Sequence, residues 1–181
     1  MSTIIAFVSS QPKTGKTTLA RVLAHAAAHR RWQVLLADCD PQKETSYHWL
    51  QEKQKDRIKV KIFPTVQQAL RETPKYDLTI LDGPPQITHA ILEIAPKADL
   101  IIQPVGGSME DLRLAAKEFQ ILVKAGAKKE KLLFVLEKWN LSLPFETAYQ
   151  YLTKTGHPVL EITLSKQEIV QQIFANLETK K

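Results

Sequence analysis

The sequence predicts an α/β fold: a mostly parallel β-sheet with helices on both faces, in three α/β/α layers. Two observations carry this expectation and a third places the chemistry. First, short β-rich apolar runs recur at Ile4 to Val8, Gln33 to Ala37, Ile58 to Phe63, Leu78 to Leu81, Leu100 to Pro104, Leu132 to Leu136 and Val159 to Ile162. Runs of this kind suit strands buried on both faces. Second, stretches with helical spacing lie between most of them: Thr17 to His29, Ser46 to Lys55, Val66 to Glu72, Met109 to Lys124, Glu146 to Lys154 and Gln167 to Leu177. Strand and helix in alternation give a covered parallel sheet. Third, such sheets bind ligands at the carboxyl ends of their strands, so the polar residues that follow each apolar run are the informative ones.

With 181 residues the chain is expected to bury one core, as a single domain over 1–181. Breaks at Pro64, Pro74, Pro84-Pro85, Gly106-Gly107, Gly126 and Pro144 read as loop punctuation. A composition of 44% hydrophobic and 24% charged residues excludes the disordered and collagen-like classes. No apolar run is long enough to span a bilayer, and Met1 to Phe7 reads as a first strand rather than a signal peptide. The lone Cys39 cannot form an internal disulfide, which suits a reducing cytoplasm. A net charge of +6 attracts phosphate polymers without identifying one.

The strongest local signal is Ser9-Ser10-Gln11-Pro12-Lys13-Thr14-Gly15-Lys16-Thr17-Thr18. It follows a β-rich run and opens an Ala-rich helix, the context a phosphate loop requires. Unpaired N–H groups at a helix start point at anionic oxygens, and the helix dipole favours negative charge there. Gly15 lets the backbone approach the phosphates, Lys16 neutralises them, and the Thr17 hydroxyl is a Mg2+ ligand. The loop usually carries glycine five residues before Gly15, and here that position is Ser10. Gly-Lys-Thr-Thr also occurs by chance as a plain helix start.

Two apolar runs end in carboxylates. Val34 to Ala37 leads into Asp38-Cys39-Asp40-Pro41-Gln42, and Leu78 to Leu81 leads into Asp82-Gly83-Pro84-Pro85. Carboxylates at strand ends beside a phosphate loop hold Mg2+ through water or position an attacking water. Aspartate at a strand end also serves as a plain turn former or N-cap.

Taken together, the three motifs resemble the ParA/MinD family of deviant Walker A ATPases, over nearly the whole chain. The first is similar to the family's Lys-Gly-Gly-x-Gly-Lys-Thr-Thr loop. The second is similar to the Asp-x-Asp-Pro-Gln switch of the ParA branch, and Asp82-Gly83-Pro84-Pro85 to its Asp-x-Pro-Pro segment. Ala98 to Val105 followed by Ser108-Met109-Glu110-Asp111-Leu112 looks like its next strand and helix start. The resemblance implies a P-loop NTPase fold and a cytoplasmic, nucleoid-associated ATP hydrolase, slow and stimulated by a partner protein. ATP would drive a face-to-face homodimer that binds DNA non-specifically and segregates or positions DNA or another large cargo. Residues 11 to 18 would bind nucleotide, Lys16 and Asp40 would be catalytic, and Thr17, Asp38 and Asp82 would serve Mg2+. The family's first loop lysine, which reaches across to the partner's phosphates, aligns with Gln11. Gln11 carries no charge and cannot supply that stabilisation. Lys13 lies two positions on, and Lys138 and Lys166 each follow a late strand. Hydrolysis would then be slow, partner-dependent or lost, leaving a nucleotide-gated binding module as the alternative, or a MinD-like or conjugation-associated ATPase.

Smaller features carry both bland and functional readings. Arg113, Lys117, Lys124, Lys128, Lys129 and Lys131, with Lys166, form a candidate DNA face or a solvated surface. His25 and His29 have zinc spacing without a third ligand. Trp32, Trp49 and Trp139 read as packing anchors. Ile169, Val170, Ile173, Phe174 and Leu177 line one side of the last helix, which suits core packing better than a membrane surface. A metabolic P-loop enzyme would need a second substrate pocket, and no residue cluster nominates one.

Overall fold

The apolar runs become strands in a computed structural model that describes residues 2–40, 57–84, 89–137, 141–162 and 166–178. In chain order these are β1 (Thr3–Phe7), α1 (Lys16–His29), β2 (Val34–Asp38), β3 (Ile58–Ile62), α2 (Val66–Glu72), β4 (Leu78–Asp82), α3 (His89–Ile94), β5 (Leu100–Val105), α4 (Met109–Lys124), β6 (Leu132–Glu137), α5 (Phe145–Thr153), β7 (Val159–Ile162) and α6 (Lys166–Glu178). The helix expected over Ser46 to Lys55 lies outside the described residues, as do Pro41, Gln42, Trp49, Pro85, Lys138 and Trp139.

One seven-stranded sheet runs in the order β3-β2-β4-β1-β5-β6-β7, and every paired strand is parallel. Side chains alternate between the two faces, as strand geometry dictates. Ile5, Phe7, Leu36, Ile80 and Ile102 meet α1 and α6 on one face. Ala6, Val8, Leu35, Leu81 and Ile101 meet α2, α4 and α5 on the other. The last helix is a core helix, with Ile169, Val170, Ile173, Phe174 and Leu177 all buried. Trp32 packs against the same cluster and lies edge-on to Phe174 at 5.4 Å. No helix among the described residues is long and apolar enough to cross a membrane.

The order of strands places the site. From β1 the chain passes to β2, two places along, and β4 returns to fill the gap. It then crosses to β5 on the other side of β1. The crossovers therefore diverge at the carboxyl end of β1, which leaves a crevice there. Register brings three strand ends level, since Phe7 pairs with Asp82 and Asp82 with Asp38. The carboxylates of β2 and β4 thus end beside the loop that leaves β1.

Candidate functional site

Residues 8–15 carry the chain from β1 into α1. Their path is held by Val8 N donating to Ile102 O at 3.0 Å, Gln11 N to Ser9 Oγ at 3.2 Å, and Thr14 Oγ1 to Gln11 O at 3.4 Å. Two left-handed residues bend the loop, Lys13 at φ 60° and Gly15 at φ 85°. Gly15 precedes the first turn of α1, which has no side-chain cap and no acidic residue. Its N–H end is therefore left to an anion. Lys16 folds back so that Nζ donates to Ser9 O at 2.9 Å, setting its charge inside the loop.

A cleft of about 200 Å3 opens over this loop, lined by residues 12–18 together with Asp40, Asp82 and Gly83. Lys13 is exposed at its edge. A left-handed conformation costs a residue with a Cβ about 1–2 kcal/mol, most of which glycine avoids at some cost in backbone entropy. Lys13→Gly is therefore expected to raise stability by up to about 1 kcal/mol in urea unfolding. A less stable variant would contradict the strain.

Of the sequence-expected site residues, Pro12, Lys13, Thr14, Gly15, Lys16, Thr17, Thr18, Asp40 and Asp82 come together at this cleft. Asp38 stands behind it, 1% exposed, and its Oδ1 accepts the Asp40 N–H at 3.0 Å. Gln11 also stands behind. It is buried, its Nε2 donates to Asp111 Oδ1 at 2.7 Å, and its Oε1 accepts the Gly106 N–H at 3.0 Å. Asp111 is itself fixed by a capping box with Ser108 at the start of α4. The turn requires Gly106: a Cβ there would stand 2.6 Å from Asp111 Oδ2 and 2.9 Å from Gln11 Oε1. Cys39 is buried beside Asp38 and Asp82, and burial, helped by both charges, pushes its thiol up to about 12. It stays protonated and inert.

Of the lysines expected on a DNA face, Lys124, Lys128, Lys129 and Lys131 lie where the chain enters β6 and Lys166 does not. Lys124 ends α4, and Lys128 and Lys129 are exposed before β6. Lys131 is half-buried and tied to Ala98 O at 3.1 Å and Asp99 at 3.7 Å. Lys166 begins α6 after β7, at the opposite end of the sheet. The run from Lys124 to Lys131 thus stays together where the chain enters β6, and Lys166 stands apart from it.

Three side chains packed behind the loop and its carboxylates escaped the sequence reading. Glu118 on α4 is 3% exposed and accepts both the N–H (3.2 Å) and the hydroxyl of Ser10 at Oε1, and the Gln103 amide at Oε2. The available signals were a glutamine inside an apolar strand and a glutamate on the apolar face of α4. The third is Arg21 on α1, whose burial lowers its pKa while the charges of Asp82 and Asp38 raise it. It places a cation behind the carboxylates.

Burial raises the pKa of Glu118, against the lowering effect of its hydrogen bonds and the Lys16 charge. A carboxyl with a raised folded pKa stabilises the fold fully below its unfolded value, and this contribution is lost as pH rises through the folded one. Glu118→Gln removes the titration and keeps an amide in place. The stability of the variant relative to the parent should therefore increase from about pH 4 towards neutrality. Melting temperatures across that range check this, and a constant difference would contradict it.

A family model described as the CobQ/CobB/MinD/ParA nucleotide binding domain matches residues 5–179. The chain is 28% identical over 164 residues to the maintenance of carboxysome distribution protein A of Gloeobacter kilaueensis, covering 87% of this chain and 74% of that protein. In fold it is similar to a Borrelia burgdorferi B31 chain described as a plasmid partition protein, bound to AMPPNP, with a TM-score of 0.73, 16% identity and 99% of both chains covered. It is also similar to the septum site-determining protein MinD of Pyrococcus horikoshii OT3 complexed with Mg-ADP, with a TM-score of 0.66, 19% identity, and 99% of this chain and 86% of that one covered.

Proposed function

This chain belongs to the CobQ/CobB/MinD/ParA nucleotide-binding domain family, and on that premise we propose that it is a ParA-like ATPase. It binds ATP, dimerises face to face on doing so, binds DNA non-specifically, and segregates or positions DNA or another large cargo with a stimulating partner protein. One observation carries the reading. The uncapped start of α1, with Lys16 folded into the loop, shares a single cleft with Asp40 and Asp82. Cationic loop and acidic strand ends face each other across a space that suits phosphate oxygens and a divalent cation.

The donor set fits Mg2+. Among the described residues no group of three or more His, Cys, Asp or Glu could hold a metal. Thr17 and Asp82 line the same cleft and would hold Mg2+ there in company with phosphate oxygens and water. When bound, Mg2+ neutralises charge on the phosphates. The rest is the work of the chain. Loop N–H groups 13–18 orient the triphosphate, Pro12 having none to give, and Lys16 supplies counter-charge. Asp40 orients the attacking water, and Asp38 acts as a positioning residue by holding the Asp40 backbone.

A second reading is favoured by Gln11. Its side chain is spent on Asp111 and Gly106 within the same chain. With no cation from position 11 crossing to a partner's phosphates, the protein acts as a nucleotide-gated binding module with little turnover. Phosphate release, light-scattering mass and duplex binding, each measured with ATP, ADP and no nucleotide, test both readings. ATP-dependent dimers that bind DNA and release phosphate support the first, and stable ATP dimers without release support the second. Indifference to nucleotide in all three assays rejects both.

A further inference from the structure

In a parallel sheet every loop that enters a strand lies at one edge and every loop that leaves lies at the other. The entering edge, away from the cleft, carries a series of basic residues. Arg30 and Arg31 precede β2, Lys97 precedes β5, Lys128 and Lys129 precede β6, and Lys154 precedes β7, all exposed. Arg31 is held in place by the Arg57 guanidinium, which donates to its carbonyl at 2.8 Å. Two of the described acids of this edge serve internal hydrogen bonds, while Glu130 is exposed between Lys129 and Lys131. Asp77 accepts the Gln33 N–H at 2.8 Å, and Asp99 accepts the Ile4 N–H at 2.9 Å while facing Lys131. Arg30 lies over the Phe174 ring at 3.9 Å, and the cations of this edge, Arg57 and Lys131 included, outnumber its described acids.

From this we infer that the strand-entry edge is the surface that takes double-stranded DNA, through its phosphates and without sequence preference. The inference rests on the DNA-binding reading above and gives it a location. From β2 to β7 the strip crosses five strand spacings, roughly 24 Å at ~4.8 Å each, against about 3.4 Å per base pair along one strand of a duplex. It would follow about seven base pairs. A membrane surface is the poorer match, because interfacial binding needs apolar side chains to insert. The exposed large apolar residues among those described, Leu114 and Ile121, lie along α4 rather than on this edge. Strands of five residues separate the edge from the cleft by roughly 16 Å, about twice the Debye length at physiological salt. The two anion sites are thus screened from each other.

The test is a salt titration. The variant Lys97→Gln/Lys128→Gln/Lys129→Gln replaces exposed side chains, and equal melting temperature and ATP affinity establish that fold and cleft are intact. Binding of a short duplex of arbitrary sequence is measured with ATP between about 50 and 200 mM salt. The slope of log affinity against log salt should be shallower than the parent's by about 2.7, at ~0.9 for each phosphate no longer neutralised. An unchanged slope, with the parent binding duplex, overturns the location and leaves the DNA reading standing. A parent that binds no duplex with any nucleotide, or binds phosphatidylserine vesicles instead, overturns both.

Discussion

Lys16→Ala is expected to weaken ATP binding by about 2–5 kcal/mol, the scale for removing one partner of a desolvated charge pair. That is roughly 30- to 5,000-fold in Kd. The fold itself should suffer less, because the hydrogen bond from Lys16 Nζ goes to one carbonyl, that of Ser9, and a bond with one charged partner is worth about 1.5–3 kcal/mol. Calorimetric titration of ATP into parent and variant, beside their melting curves, separates the two effects. Equal affinity would place the triphosphate elsewhere and remove the basis of the proposed function.

The second large effect is expected at Asp40. It is half-exposed, lines the cleft, and is reached through a backbone N–H pinned by the buried Asp38. Asp40→Ala should leave ATP binding within a few-fold of the parent and lower the hydrolysis rate by about 10²–10⁴. Single-turnover phosphate release measures it. Should the parent prove to be a module without turnover, parent and variant will release phosphate equally slowly while both still dimerise with ATP. A variant that instead loses nucleotide would move Asp40 from orienting water to holding the substrate.

The strands were legible because burial on both faces leaves a continuous apolar signal. β3 and β7 begin where the apolar runs begin, and β4 runs one residue past its run to include Asp82. The loop was legible because its parts are contiguous. Other features depend on topology and leave no local trace. Ser10 meets Glu118 across 108 residues and Gln11 meets Asp111 across 100. Both contacts exist because β5 lies beside β1, an adjacency that a list of strands does not contain. The six-residue α3, rich in isoleucine, was missed because so short a helix forms through packing rather than propensity. Likewise the basic strip draws on Arg30, Lys97 and Lys154, too far apart in sequence to read as a patch.

The tether on Gln11 bears on what a substitution in this loop would do. A lysine introduced at position 11 would stand 2.7 Å or so from the acceptor that its predecessor used, and opposite charges at that range hold each other. The new cation would be captured at home before it could reach a neighbour. A lysine at position 11 alone would therefore leave Gly106 N–H without the acceptor that Gln11 Oε1 supplies. Asp111 also caps α4 through Ser108. The amide at position 11 thus braces the phosphate loop against the start of α4.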